Sequence, residues 1–372
     1  MKLGDLFERV MERIPPLGGI GAAAEGGAAS ADDPTPADLP VPVLWLLGKT
    51  GAGKSSLVQA MTGEDAIAVG NGFSPCTRTS SVYDHPPGAP VVRFLDTRGL
   101  AETGYDAAED LEVSESGSHA ILAVARLDDP VQHELTAALR EVRRKRPKFP
   151  VLVVHTGADL VPDAGMRGRA RGQVQQALEK AAGGPLPSVE VALQPGRPAP
   201  PALIDSLAGV LPEVALFLAA ESASDAEGQQ FLRHRALVFR YAGAAGASDV
   251  VPVAGAVSVP ALQAAMLRQL ARAYRVTWGR DDLRRFAAAL GAGAVLQYGA
   301  SFGLRQLAKL VPVYGQTLGA AAAATLSFST TLALGRAAAY WLYHQSRGKP
   351  VDAAALREKY AEALRRASDK AG

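Results

Sequence analysis

The spacing of hydrophobic and polar residues divides the chain into three parts. The first part, residues 1–40, begins with apolar side chains three and four positions apart, which predicts an amphipathic helix over residues 1–14. From residue 17 it consists mainly of Gly, Ala, Pro and Asp, which predicts a flexible linker. In residues 41–220, apolar strand patterns alternate with helical patterns, and residues 221–372 show helical patterns only.

The middle part predicts an α/β fold, with a mostly parallel six-stranded sheet and helices on both faces. Pro86, Pro87 and Gly88 form a tight turn between the second and third strands, which are therefore expected to pair antiparallel. The predicted strands are residues 43–47, 81–84, 91–95, 120–125, 151–155 and 189–193. The predicted helices are residues 54–61, 105–111, 130–144, 171–182 and 200–219.

The last part predicts an Ala- and Gly-rich all-α domain. Residues 250–267, 286–304 and 310–335 contain no Asp, Glu, Lys or Arg. The third stretch is long enough to span a bilayer core, although small residues dominate much of it. Small residues permit close helix packing in lipid and in a soluble bundle alike, so both arrangements fit the pattern. Insertion of all three stretches is not expected, and residues 351–368 predict a closing amphipathic helix.

The composition of the chain indicates which cellular compartment and which kinds of binding partner are expected. The formal net charge is +2, so no overall field favours a specific nucleic-acid partner. Cys76 is the single cysteine, which excludes an internal disulfide and a cysteine-based zinc site and fits a reducing cytosol. The start of the chain alternates charged and apolar residues, so no signal peptide is predicted. Heavy use of Ala, Arg, Gly and Pro is typical of a G+C-rich bacterial genome.

A glycine-rich turn follows the first predicted strand of the middle part. Gly48 and Gly53 bracket four residues, and Lys54 and Ser55 follow directly, which completes the pattern G-x-x-x-x-G-K-[ST]. Such a loop points backbone N–H groups at phosphate oxygens, and the next helix adds its positive dipole end. Lys54 is expected to reach the β- and γ-phosphates as a catalytic residue, and Ser55 to bind Mg²⁺. The candidate nucleotide-binding residues here are Lys49, Thr50, Gly51, Ala52, Gly53, Lys54, Ser55 and Ser56.

Two further segments carry candidates for the metal ion and the γ-phosphate. Asp96 ends the third predicted strand, where its carboxylate can hold Mg²⁺ directly or through water, and the Gly99 N–H can meet the γ-phosphate. Thr77 lies in the polar loop before the second strand and is the candidate for a hydroxyl that binds Mg²⁺ and is released after hydrolysis. Thr79 is the alternative, and a loop threonine without metal contact remains a third interpretation.

A base-recognition segment follows the fifth predicted strand. Thr156, Gly157, Ala158 and Asp159 come directly after it. A carboxylate at Asp159 can accept hydrogen bonds from N1–H and the 2-amino group of guanine, which adenine does not offer. The segment therefore favours GTP and GDP over adenine nucleotides.

Taken in order, these segments resemble the motif series of an Era-like or septin-like small GTPase. The residues that carry the resemblance are 48–55, Thr77, 96–99 and 156–159, and it covers roughly residues 41–200. It implies a P-loop GTPase fold, guanine nucleotide with Mg²⁺ as ligands, and self-association of the GTPase domain as one means of stimulation.

The last third of the chain resembles a bacterial helical domain of unknown function. Residues 249–252 and 310–315, together with the flanking Ala-rich helices, carry this resemblance. That domain is attached to such GTPases and to inner-membrane proteins. It implies a cytoplasmic protein, or one bound at the inner membrane, with residues 236–345 contacting lipid or a membrane protein.

Several positions depart from the pattern of the family. Gly157 replaces a lysine whose stem covers the guanine face, so base binding should be weaker and selectivity should depend mainly on Asp159. Arg98 replaces a usual proline, with no predictable effect. Leu100 stands where Ras-like enzymes place the glutamine that orients the attacking water, and an aliphatic side chain cannot do this. Gly51 replaces the asparagine that helps to bind K⁺ in relatives with the same change.

These observations predict a GTP-binding protein that hydrolyses GTP slowly with Mg²⁺ and whose switching loops control a helical domain docked at a membrane or partner. One alternative is a membrane scaffold or remodelling protein that binds nucleotide without turnover. A second alternative is an ATPase, given the altered base segment.

Overall fold

The computed structural model describes residues 34–64, 74–75, 80–97, 119–194, 196–219, 221–250, 259–291 and 318–371. The chain divides into two compact units. Pro40–Glu221 form the α/β unit, and Ser222–Asp369 form the helical unit, to which the described residues before Pro40 also belong.

The α/β unit contains a seven-stranded sheet with the strand order β2-β3-β4-β1-β5-β6-β7. β1 pairs in parallel with β4 and β5, and β6 pairs in parallel with β5 and β7. The β2–β3 and β3–β4 pairs are antiparallel, which confirms the hairpin predicted around Pro86. The strands are β1 (Val43–Leu47), β2 (Ser74–Pro75), β3 (Ser80–His85), β4 (Val92–Thr97), β5 (His119–Arg126), β6 (Val151–Thr156) and β7 (Ser188–Glu190).

The six predicted strands and the mostly parallel sheet are confirmed. The structure adds β2, a two-residue edge strand that lies in the segment predicted as a polar loop. β7 ends at Glu190, three residues before the predicted end at position 193.

Helices cover both faces of the sheet. Alternate residues of β1 point to opposite sides, so Leu44 and Leu46 pack with one core cluster and Trp45 with the other. The helices of this unit are α1 (Lys54–Thr62), α2 (His133–Lys145), α3 (Ala164–Ala182), α4 (Pro201–Ala208) and α5 (Pro212–Leu218). α1, α4 and α5 cover the face of Leu44, whereas α2 and α3 cover the face of Trp45.

Two predicted helices of this unit differ from the structure. α3 begins at Ala164 and not at position 171, because Asp163 caps it by accepting a hydrogen bond from Met166 N at 2.7 Å. The helix predicted over residues 200–219 is two helices, since Gly209 follows α4 and Pro212 begins α5. The helix predicted over residues 105–111 lies outside the described residues.

The helical unit contains only helices in its described residues. They are α6 (Ala226–Val250), α7 (Val259–Ala273), α8 (Arg280–Leu290), α9 (Leu318–Gln345) and α10 (Ala353–Ala371). α9 packs along α6 and α7, and a buried ion pair joins α6 to α9, with Glu227 and Arg336 meeting in two contacts of 2.7 Å. Within the part of the chain that the structure describes, we find no helix with the length and apolar content to cross a bilayer.

Residues 34–39 differ from the flexible linker predicted for them. Pro36–Asp38 form a 3₁₀ turn, with Thr35 Oγ1 donating to Asp38 Oδ2 at 2.6 Å. Arg240 of α6 donates to the carbonyl oxygens of Pro36 and Leu39. The linker prediction is therefore wrong for these residues, because hydrogen bonds to α6 offset the entropy lost on ordering them.

Candidate functional site

The glycine-rich turn joins the carboxyl end of β1 to the amino end of α1. This is where the sheet order reverses between β1 and β5, the position at which open α/β sheets bind ligands. Gly48 has no room for a side chain, because a Cβ there would lie 2.5 Å from Val124 O of β5. Gly53 precedes α1 with φ +93°, a conformation that favours glycine. The first N–H groups of α1 are thereby left at the loop, where an anion can accept from them.

Lys54 is the first residue of α1 and is buried, with 7 % of its surface exposed. Its Nζ donates to Gly48 O at 2.9 Å and to Lys49 O at 3.2 Å. These bonds hold the ammonium group against the loop, where it can meet phosphate oxygens as a point charge. The other members of the predicted set surround it, with Thr50 and Gly51 exposed and Ala52 buried.

Thr156 links the base-recognition segment to this loop. It ends β6 with 3 % of its surface exposed, and its Oγ1 donates to Ala52 O at 2.7 Å. The two segments are 104 positions apart in sequence, yet one hydrogen bond joins them directly. This bond therefore places the start of the base-recognition segment directly beside the phosphate-binding loop.

Asp159 follows Thr156 through a sharp turn. Gly157 has φ +70°, and Ala158–Leu160 form a 3₁₀ turn that places Asp159 at the surface. The Ala158 N–H donates to Val191 O at 3.3 Å, which ties the turn to the chain following β7. The pKa of Arg126 is raised mainly by its hydrogen bond to Asp128, and the negative charge of Asp159 is close enough to add to this effect. An exposed carboxylate in this position is available to a ligand.

Two cationic side chains link the phosphate-binding loop to the end of β5 and to the segment that follows it. Neither contact was predicted from the sequence. Arg126 ends β5 and donates from Nη1 to Gly51 O at 3.3 Å. Lys49 forms an ion pair with Asp129 at 2.6 Å and also donates to Val131 O at 3.0 Å. The available signal was a run of charged residues directly after an apolar strand whose carboxyl end adjoins the loop.

Asp128 holds the guanidinium of Arg126 in place. Arg126 Nε and Nη2 donate to the two carboxylate oxygens at 2.8 and 2.6 Å. This side-chain bonding lowers the pKa of Asp128 and raises the pKa of Arg126. Both groups are therefore fully charged at neutral pH.

The candidate metal ligands are only partly described. Ser55 is the second residue of α1, and Asp96 lies on β4 beside Leu46 of β1, two residues before the loop begins. A hydroxyl and a carboxylate are hard oxygen donors, which suits Mg²⁺. Thr77 and Gly99 lie outside the described residues, as does the alternative Thr79.

Comparison with protein families gives one match to this part of the chain. Residues 43–156, from β1 to the end of β6, match the family described as 50S ribosome-binding GTPase. This segment therefore fits a P-loop GTPase domain, and the match supports binding of guanine nucleotide. Comparison with curated proteins gave no match.

Proposed function

We propose that the protein binds GTP with Mg²⁺ through the site between β1, β5 and β6 and hydrolyses it slowly. The observation that carries this proposal is the hydrogen bond from Thr156 to Ala52 O. It joins the phosphate-binding loop to Thr156, three residues before the candidate base selector Asp159, so one ligand with a purine and a phosphate chain would engage both segments. Lys54 would bind phosphate oxygens, and Ser55, Thr77 and Asp96 would hold the metal, which neutralises charge on the phosphates when bound.

Slow hydrolysis is the expected rate regime because of Leu100. This aliphatic side chain stands where a water-orienting glutamine would be needed and cannot position a nucleophile. Association of two GTPase domains, or a partner protein, would supply the missing group. In this proposal the loops around Thr77 and Asp96 respond to the γ-phosphate and control how the helical unit docks on a membrane or partner.

Calorimetry tests the binding step. The full chain should release heat with GDP and with a non-hydrolysable GTP analogue in the presence of Mg²⁺, and Lys54→Ala should weaken the GTP analogue at least about 30-fold, since it removes a charged phosphate contact worth roughly 2 kcal/mol or more. Lys148→Ala, which removes an exposed lysine elsewhere in the α/β unit, is the matched control and should leave affinity unchanged. Equal affinity of the Lys54→Ala protein and the wild type would contradict the proposal.

Two further measurements separate this proposal from its rivals. Competition between ATP and GTP, with Asp159→Asn as a control, tests base selection. Single-turnover hydrolysis with and without anionic liposomes tests turnover and docking. Hydrolysis at a measurable rate supports a GTPase, whereas tight binding with no product over many hours supports a scaffold that does not turn over.

A further inference from the structure

We propose that Arg126 is a base-binding residue whose guanidinium covers one face of the guanine ring, while its bond to Gly51 O holds the phosphate-binding loop against the base site. This proposal rests on the proposed function, because it concerns the same nucleotide. A residue of β5 would thereby cover the base, which Gly157 of the base-recognition segment cannot do because it has no side chain.

Arg126 lies between the phosphate-binding loop and the base-recognition segment. Arg126 is the last residue of β5 and lies opposite Thr156 in the parallel register of β5 and β6. Thr156 directly precedes the turn that presents Asp159. The arginine therefore emerges at the sheet edge beside the base-recognition segment, and its side chain reaches Gly51 O in the phosphate-binding loop. One guanidinium thus extends from the phosphate end of the site towards the base end.

Gly157 has no side chain that could cover a base, and the Arg126–Asp128 pair lies beside it. A Cβ built at Gly157 would lie 3.2 Å from Leu160 Cδ1 and 3.7 Å from Asp128 Oδ1. Asp128 is the carboxylate that anchors Arg126 through two hydrogen bonds. The guanidinium of Arg126 is therefore held close to the glycine that leaves the base uncovered.

The chemistry of the arginine side chain suits contact with a purine. A guanidinium is planar and weakly hydrated and stacks on aromatic rings, so it can cover a purine face as well as donate hydrogen bonds. The bidentate bond to Asp128 fixes the plane, which reduces the entropy lost when a base binds. The side chain keeps 38 % of its surface exposed, so part of it is accessible to a ligand.

Nucleotide affinity of the full chain tests this role. Arg126→Ala should weaken GDP binding about tenfold, as expected for loss of a cation–π contact and one charged hydrogen bond. Arg126→Lys keeps the positive charge but lacks the planar guanidinium, so its GDP affinity should lie between those of Arg126→Ala and the wild type. Arg140→Ala removes an exposed arginine of α2 and should remain within twofold of the wild type. The thermal midpoints without nucleotide should agree, because the side chain of Arg126 is partly exposed.

A phosphate-only competitor separates base binding from a purely structural effect on the loop. Inorganic tripolyphosphate, competed against labelled GDP, should lose less affinity than GDP in the Arg126→Ala protein. Equal losses for both ligands, or GDP affinity within twofold of the wild type, would overturn the proposal. If the wild type itself binds no GDP, the proposed function fails instead, so the two failures are distinguishable.

Discussion

His155 is a buried histidine whose neighbours determine which ring nitrogen carries the proton. It is fully buried in β6, and its Nε2 lies 3.0 Å from Gln175 Oε1. The Gln175 amide nitrogen donates to Glu179 and Leu186 O, so its oxygen faces the imidazole and Nε2 is the protonated nitrogen. Nδ1 is then unprotonated, and within the described chain it has no hydrogen-bond partner. Formation of the charged imidazolium would add the second proton at Nδ1, where no acceptor among the described residues would bind it.

Burial accordingly lowers the pKa of His155 from its ordinary value of 6.5, and the positive charge of Arg171 adds to the effect. The bond to Gln175 and the charge of Glu190 act in the opposite direction but are weaker than burial. Below pH 6.5 the unfolded chain takes up a proton that the folded unit does not, so stability is present above that pH and declines as pH falls.

We therefore expect the α/β unit to lose stability as pH falls from 7 to 5.5, and His155→Gln to reduce this loss by on the order of 1 kcal/mol. Urea unfolding followed by the fluorescence of Trp45, with Trp278 and Trp341 replaced by Phe in every protein compared, measures this loss. His133→Gln changes an exposed histidine of α2 and should keep the wild-type slope. Some dependence of stability on pH should persist in the His155→Gln protein, because burial also lowers the pKa of His85. Identical slopes for His155→Gln and the wild type would contradict this account.

At the scale of elements, the contact between α6 and α9 depends on a missing side chain. Gly335 of α9 faces Val238 of α6, and a Cβ at Gly335 would overlap Val238 Cγ1 and lie 3.1 Å from Met266 Sδ of α7. Val238 is β-branched and fully buried, so it has little freedom to move away. The three helices can approach closely only because position 335 is a glycine.

Gly335→Ala should therefore destabilise the helical unit by roughly 1–2 kcal/mol, since overpacking outweighs the gain in helix propensity. Gly243→Ala is the matched control, because a Cβ at this α6 glycine meets no atom within 4 Å and should be neutral or stabilising. Denaturant unfolding compares these two variants, and the addition of Val238→Ala and Gly335→Ala/Val238→Ala gives the coupling energy between positions 238 and 335. A Gly335→Ala protein as stable as Gly243→Ala would show that the helices can separate at low cost.

Most elements could be predicted from the sequence where the hydrophobic periodicity agrees with the glycine, proline and capping residues at the ends of the element. β1 and β6 are continuous apolar runs, and α1 begins where the glycine-rich turn ends. The early start of α3 was missed because Gly165 and Gly168, which are unfavourable inside a helix, lie in its first turns, where Asp163 caps it. The site segments were predictable because their chemistry is local in sequence. The contacts of Arg126 and Lys49 were missed because each joins residues far apart in the chain, and the charged residues after β5 do not reveal which partners they contact.

At the scale of the whole molecule, each unit contains its own tryptophan reporters. Trp45 is buried in β1, directly before the phosphate-binding loop. Trp278 and Trp341 belong to the helical unit, where both make edge contacts with Phe286, with ring centroids 5.4 and 5.7 Å apart. These are the three tryptophans of the chain. Trp45→Phe therefore leaves reporters in the helical unit alone, and Trp278→Phe/Trp341→Phe leaves one in the α/β unit.

Thermal unfolding of these two proteins tests whether nucleotide state reaches the helical unit. GDP with Mg²⁺ at 100 times its Kd should stabilise the α/β unit by about 2.7 kcal/mol, which raises the Trp45 midpoint by about 5–10 °C for a unit of this size. Under the proposed switch, the helical unit should unfold at different temperatures with GDP and with a non-hydrolysable GTP analogue, because a ligand shifts a conformational equilibrium only by its differential affinity. At the same nucleotide concentrations, Lys54→Ala should reduce the stabilisation of the α/β unit to about 1 kcal/mol or less, because its affinity is at least about 30-fold weaker, and should reduce the difference at the helical unit in the same way. A Trp45 midpoint that rises while the helical midpoint is the same with both nucleotides would mean that the protein binds guanine nucleotide without transmitting its state.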